Sequence, residues 1–254
     1  MGKVVAILNQ KGGVAKTTTT WCIGVALSKL KGYKVLLCDL DAQCNLSFNA
    51  RVDLMNLKVS LYDVFKGDAD INDAIIPVDD NLDIVTGSIN LASADRDFNK
   101  LGREKMLKKA IEQINNNYDY VLIDCPPSLN VMCENALTVA DSIIIPMGAE
   151  MYALQGISQL SGFIDDIKEN ANANLVIDGI LITRVNEQTN LYKTLKPQIE
   201  KVADGMGCKV FNTCIRENVA VGESVVLRGN IFELSPKANA SVDYKAFIDE
   251  FLAN

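Results

Sequence analysis

An α/β fold, a doubly wound, mostly parallel sheet with helices on both faces, is predicted by three observations. Apolar runs of strand length alternate with helical periodicities, the first run opens onto a glycine-containing loop, and two others end in aspartate. In order, Val4-Val5-Ala6-Ile7-Leu8 places a buried strand at 3–8, and the segment after the loop predicts a helix over 16–31. Val35-Leu36-Leu37-Cys38 sets a strand at 34–39, and Leu82-Asp83-Ile84-Val85 another at 82–86. A helix over 103–117 leads to a strand at 119–124, and a helix over 130–140 to the isoleucine-rich strand 142–146. The remaining units are a helix over 153–169, a strand at 176–183, a helix over 190–205, a strand at 209–212 and a helix over 241–252. Ligands of such sheets bind beyond the carboxyl ends of the strands. The candidate motifs fall there, after 3–8, 34–39, 119–124 and 176–183.

Composition narrows the function classes. With 254 residues, 48% hydrophobic and 22% charged, the chain is long enough to bury a full core. No linker, repeat or low-complexity segment divides it, so a single domain over 1–254 is expected. A net charge of −7 argues against a wholly basic nucleic-acid binder but leaves room for a local basic patch. No apolar run reaches the length of a membrane span, and a strand beginning by residue 3 is expected to leave no room for a signal peptide. Seven cysteines, an odd count without Cys-x-x-Cys, read as free thiols of a reducing cytoplasm. Histidine is absent, which removes every His-dependent triad and most metal sites.

Residues 9–20 read Asn-Gln-Lys-Gly-Gly-Val-Ala-Lys-Thr-Thr-Thr-Thr. Strand, glycine-containing turn and a helix opening with Lys-Thr make a phosphate-binding loop, so the fold is of the P-loop NTPase type. Backbone N–H groups of Gly12, Gly13, Val14, Ala15, Lys16, Thr17 and Thr18 are expected to cradle phosphates. Lys16 is expected to reach the β- and γ-phosphates of ATP, and the Thr17 hydroxyl to ligate Mg²⁺. Lys11, directly before the glycine pair, makes this the deviant Walker A pattern, Lys-Gly-Gly-x-x-Lys-Thr. The strict pattern has glycine where Gln10 and Ala15 stand. If residue 15 takes positive φ, alanine costs roughly 1 kcal/mol or more.

Two acidic strand ends complete the site. Asp39 and Asp41 alternate along an extended strand, so both are expected to look toward the phosphates. Asp39 suits the metal shell, and Asp41 suits orienting the attacking water. Val121-Leu122-Ile123-Asp124 has the Walker B form, placing Asp124 near Mg²⁺ through water, and Pro126-Pro127 fixes a rigid turn beside the γ-phosphate.

With these residues in place the chain resembles ParA/Soj-type partition ATPases of the wider ParA/MinD family. The likeness also covers Cys38-Asp39-Leu40-Asp41-Ala42-Gln43-Cys44-Asn45, Ala149 to Gly156 and Ile215-Arg216-Glu217-Asn218-Val219. It implies an ATP switch. Two ATP-bound chains close as a homodimer, with Lys11 crossing to the partner's phosphates. That dimer binds DNA without sequence preference on the nucleoid, and hydrolysis, involving Lys11, Lys16 and Asp41, releases it. A ParB-like centromere-binding protein accelerates that hydrolysis, which is slow alone. Contacts to the nucleotide base are implied for Arg184, Asn186 and Arg216.

Several positions depart from the family pattern. The usual Asp-Pro-Gln-Gly-Asn reads Asp41-Ala42-Gln43-Cys44-Asn45, and Gln188 stands where relatives often carry arginine. Glu217 and Ala220 replace frequent basic residues, so DNA phosphates are left to Lys193, Lys196, Lys201, Arg216, Arg228 and Lys237. The chain starts at its first strand, without the helix-turn-helix extension of some relatives, so sequence-specific DNA binding is not expected. An alternative is a ParA-like positioning ATPase for another cargo. A MinD-like membrane-cycling ATPase needs a basic amphipathic tail, whereas residues 241–252 are acidic on their polar face, so no stable membrane binding is expected.

Overall fold

The computed structural model describes residues 2–150 and 153–253. Its strands are β1 (Lys3–Ile7), β2 (Val35–Asp39), β3 (Ile75–Asp79), β4 (Leu82–Val85), β5 (Tyr120–Asp124), β6 (Ser142–Gly148), β7 (Val176–Val185) and β8 (Ile215–Arg216). They form one sheet in the order β3-β4-β2-β5-β1-β6-β7-β8, parallel throughout except for the antiparallel β3–β4 edge. The helices are α1 (Lys16–Val25), α2 (Asn45–Asn49), α3 (Leu61–Lys66), α4 (Ile71–Ala74), α5 (Ala94–Asp97), α6 (Met106–Ile114) and α7 (Val131–Val139). They continue with α8 (Ala153–Asn170), α9 (Asn190–Gly205), α10 (Val219–Val226), α11 (Ile231–Leu234) and α12 (Asn239–Leu252).

The unbroken apolar runs are the signature of strands covered on both faces. Alternate residues of β1 go to opposite cores: Val4 and Ala6 pack under α6, α7 and α8, while Val5 and Ile7 pack under α1 and α12. All four are fully buried. The tail helix α12 spends its apolar stripe on this second core through Tyr244, Phe247, Ile248 and Phe251. No helix among the described residues is long and apolar enough to cross a membrane.

The structure differs from the sequence expectation at the edges. No strand forms over 209–212; Val210 makes a single parallel bridge to Ile180, and the edge strand is β8 instead. Phe211 N donates to the Ile180 carbonyl at 3.0 Å, and its ring stacks edge-on against Phe247 at 4.9 Å. Strand β3, not among the strands expected from sequence, carries Pro77, which an edge strand tolerates and a central one does not. The helix over 16–31 is α1 continued by one π-helical turn over 26–30.

Candidate active site

Beyond the carboxyl ends of β1, β2, β5 and β7 lies a cleft of about 520 Å³. Its loop is shaped by ties within the chain. Asn9 donates to the Pro146 carbonyl at 2.8 Å and accepts from the Lys11 N–H at 2.9 Å. Gly13 (φ 75°) and Ala15 (φ 64°) both take left-handed backbone, so the alanine carries the conformational cost that glycine would avoid. Lys16 is 7% exposed and donates to the Lys11 carbonyl at 3.0 Å, its charge held across the turn. Burial lowers its pKa, against the opposing pull of Asp124 and Asp41. From β7, Thr183 Oγ1 ties the Val14 carbonyl at 3.1 Å.

The two aspartates ending neighbouring strands lie in register, Asp39 beside Asp124, and both are fully buried. Asp39 Oδ2 accepts from Ser47 N (2.9 Å) and Ser47 Oγ (2.7 Å), which binds helix α2 to the strand end. Burial pushes Asp39 up to about 6, and burial together with the Asp39 charge raises Asp124 well above the usual carboxylate range. Asp124 Oδ1 meets Thr20 Oγ1 at 3.4 Å, while Oδ2 has no partner. An orphaned buried carboxylate oxygen next to a second carboxylate fits a divalent cation. No cluster of three or more His, Cys, Asp or Glu exists among the described residues. That donor set suits Mg²⁺, which keeps several waters and leans on one or two carboxylates and substrate phosphates.

Asp41 corrects the strand argument. The strand ends at Asp39 and residue 41 opens the following turn, so strand alternation is not what positions Asp41; its N–H donates to Asp39 Oδ1 at 3.1 Å. Asp41 lines the cleft and accepts from Gln43 N at 2.9 Å, while Asp39 is sealed beneath. Cys44, which replaces glycine, ends this turn with φ 53°, a second left-handed site occupied by a side chain. Burial raises the pKa of its thiol to about 12.

The rim is built from ion pairs. Lys11 Nζ is bonded to Glu150, whose pKa that contact lowers. Arg184, at φ 54°, reaches the Gly13 carbonyl at 3.0 Å and Glu217 at 3.1 Å. Arg216 is fixed by Asp243 at 2.6 Å and lines the cleft.

A family profile described as AAA domain matches residues 2–177. Over its full length the chain is 38% identical to the sporulation initiation inhibitor protein Soj of Bacillus subtilis, covering 100% of both. It is 36% identical to the chromosome partitioning protein ParA of Caulobacter vibrioides over 87% of this chain and 83% of that protein. This chain belongs to the ParA/Soj-type partition ATPases. The cobyrinic acid a,c-diamide synthase of Mycobacterium smegmatis shares its fold. The form with ADP and magnesium gives a TM-score of 0.86 at 34% identity, covering 99% of this chain and 94% of that one. The form with an ATP analogue and magnesium gives 0.86 at 33%, covering 99% and 95%.

Within this ParA/Soj-type chain, Gly12, Gly13, Ala15, Lys16, Thr17, Thr18, Asp41, Arg184 and Arg216 converge on the cleft. Asn186 does not. Its Oδ1 accepts from Gln188 N and its carbonyl from Thr189, making the turn into α9. Arg228 is likewise turned inward, donating to the carbonyls of Phe48 (3.1 Å) and Val52 (3.0 Å), which removes it from a DNA-facing role. Lys193, Lys196 and Lys201 stay on the open side of α9, whose buried face is Tyr192, Leu195, Ile199 and Ala203. Lys237 is exposed. Met151 and Tyr152 of the family motif lie outside the described residues. All seven cysteines are free thiols. Sequence reasoning did not pair Glu150, Glu217 and Asp243 with Lys11, Arg184 and Arg216, because the partner of a cation cannot be read from spacing along the chain.

Proposed function

We propose that this chain is an ATP-driven DNA partition switch, one ATPase domain over 1–254 acting in the cytoplasm. The observation that carries the reading is the pairing of a preformed phosphate loop with the buried Asp39–Asp124 pair and its orphaned oxygen. ATP lies in the cleft with its phosphates against the N–H groups of residues 12–18, Lys16 on the β- and γ-phosphates, and Arg184 and Arg216 toward the base. Thr17, Asp39 and Asp124 would hold Mg²⁺, which would supply positive charge to the phosphoryl group. Asp41, at the cleft surface above the sealed Asp39 and Asp124, orients the attacking water.

ATP binding frees Lys11 from Glu150 to reach the nucleotide of a second chain. The resulting homodimer binds nucleoid DNA non-specifically through Lys193, Lys196, Lys201 and Lys237, and a ParB-like partner speeds hydrolysis and release. Support comes from family membership and from the half-exposed, exchangeable Lys11–Glu150 pair. The test is binding of Asp41→Ala to a random-sequence duplex with ATP and with ADP across a salt series. Binding with ATP alone, weakening steeply with salt, is expected. Equal binding in both nucleotides, or in neither, overturns the DNA switch.

A further inference from the structure

Near the end of β7 two consecutive residues reach the same stretch of chain, 169 and 171 positions away. Thr183 Oγ1 donates to the Val14 carbonyl at 3.1 Å, and Arg184 Nη1 donates to the Gly13 carbonyl at 3.0 Å. Successive side chains of a regular strand point to opposite faces, so neighbours meet one target only where the pleat is broken. The break is at Arg184, whose φ is 54°, and the pairing of β7 with β8 slips register between Thr183 and Val185. Such a bulge re-aims a side chain, and left-handed backbone costs an L-residue about 1–2 kcal/mol. Thr183 is fully buried, and the half-exposed Arg184 side chain is fixed by a second bond, Nη2 to Glu217 at 3.1 Å.

The two ties dictate where the next N–H groups point. A trans peptide is planar, with its N–H directed opposite to its C=O. Holding the Gly13 carbonyl toward β7 therefore turns the Val14 N–H away from β7, and holding the Val14 carbonyl does the same for the Ala15 N–H. Left-handed backbone at Gly13 and Ala15, on either side of Val14, is the alternation that makes successive N–H groups a concave anion-binding row.

We propose, resting on the phosphate-loop reading above, that Thr183 and Arg184 are positioning residues for ATP. They hold the carbonyls of Val14 and Gly13 so that the N–H groups of Ala15 and Val14 stay aimed at its phosphates. Both terminal nitrogens of Arg184 are engaged, on Gly13 and on Glu217, so its route to the nucleotide runs through the loop.

Inorganic tripolyphosphate carries the phosphates of ATP without base or ribose, so it reads the loop alone. Its affinity for the full chain, and that of a non-hydrolysable ATP analogue, are measured by calorimetry with Mg²⁺. Thr183→Val and Arg184→Met each weaken both ligands by the same factor, about tenfold, the size of one hydrogen bond. For Arg184→Met the factor holds as ionic strength rises, whereas the effect of a lost surface charge alone would be screened away. Thr183→Ser, which keeps the hydroxyl, binds as the unmodified chain does. Amide spectra read each tie separately. The shift that tripolyphosphate induces at the Val14 amide proton is lost in Arg184→Met, and the one at Ala15 is lost in Thr183→Val. A loss confined to the ATP analogue would make Arg184 a base contact and overturn the assignment, as would undiminished affinity in both variants. An unmodified chain that binds the ATP analogue but not tripolyphosphate would overturn the phosphate-loop reading and the assignment with it.

Discussion

At the floor of the nucleotide cleft Asp39, Asp124 and Lys16 are each more than nine-tenths buried, whereas Lys11–Glu150 and Arg184–Glu217 at the rim are half-exposed ion pairs. Two of the floor's charges are fixed by backbone, Asp39 by Ser47 N and Lys16 by a loop carbonyl, and Asn9 ties the loop itself. Its charges are held against desolvation and gain when a cation and phosphates arrive. Exposed pairs contribute little, about 0.2–1 kcal/mol, and exchange partners at small cost. In the function proposed above, binding belongs to the floor and switching to the rim.

The largest expected effect comes from removing the floor's cation. Lys16→Ala should weaken ATP binding by at least ~100-fold, since charge-assisted hydrogen bonds contribute about 1.5–3 kcal/mol each. Calorimetry checks this, and near-normal affinity would place the phosphates elsewhere.

Next is the carboxylate pair. A carboxylate whose folded pKa is raised above its unfolded value stabilises the fold below that unfolded value and loses the contribution as pH rises through the folded one. For Asp39 the window runs from its ordinary 3.8 to about 6. Metal-free protein should therefore lose stability as pH climbs through that window. Asp124→Asn should remove the buried repulsion and raise metal-free stability at pH 7 by about 1–2 kcal/mol, while abolishing stabilisation by Mg²⁺. Thermal melts with and without Mg²⁺ read both effects; a metal-free loss of stability would contradict the account.

Ala15 tests how much strain the floor carries. At φ 64° an L-residue costs about 1–2 kcal/mol, partly offset when glycine loosens the unfolded chain. Ala15→Gly should stabilise by about 0.5–1 kcal/mol in denaturant unfolding, and a destabilised variant would mean the methyl contributes packing. Smallest is the rim: Glu150→Gln should strengthen ATP-dependent self-association by up to about fivefold, in line with an exposed pair. Weaker association in ultracentrifugation would assign Glu150 to the interface instead.

The same division explains what could be read from the sequence. Floor residues sit at the ends of buried strands, where apolar runs and a glycine-containing turn fix both position and chemistry, so Lys16, Thr17 and Asp124 were legible. Asp41 was legible as a site residue but not in its geometry, because where β2 ends is set by its neighbours. Partners at the rim lie far apart in the chain, Lys11 with Glu150 and Arg216 with Asp243, and no local pattern announces them. Arg228 looked like a surface cation until its guanidinium was found on the carbonyls of Phe48 and Val52.

The most direct test of a binding floor and a switching rim is the mass of Lys11→Ala in solution with Mg²⁺ and a non-hydrolysable ATP analogue, beside its affinity for that analogue. Affinity close to that of the unmodified chain, with the protein remaining monomeric while the unmodified chain dimerises, is the expected result. Dimerisation of Lys11→Ala to the same extent, or loss of nucleotide binding as complete as in Lys16→Ala, would contradict the account.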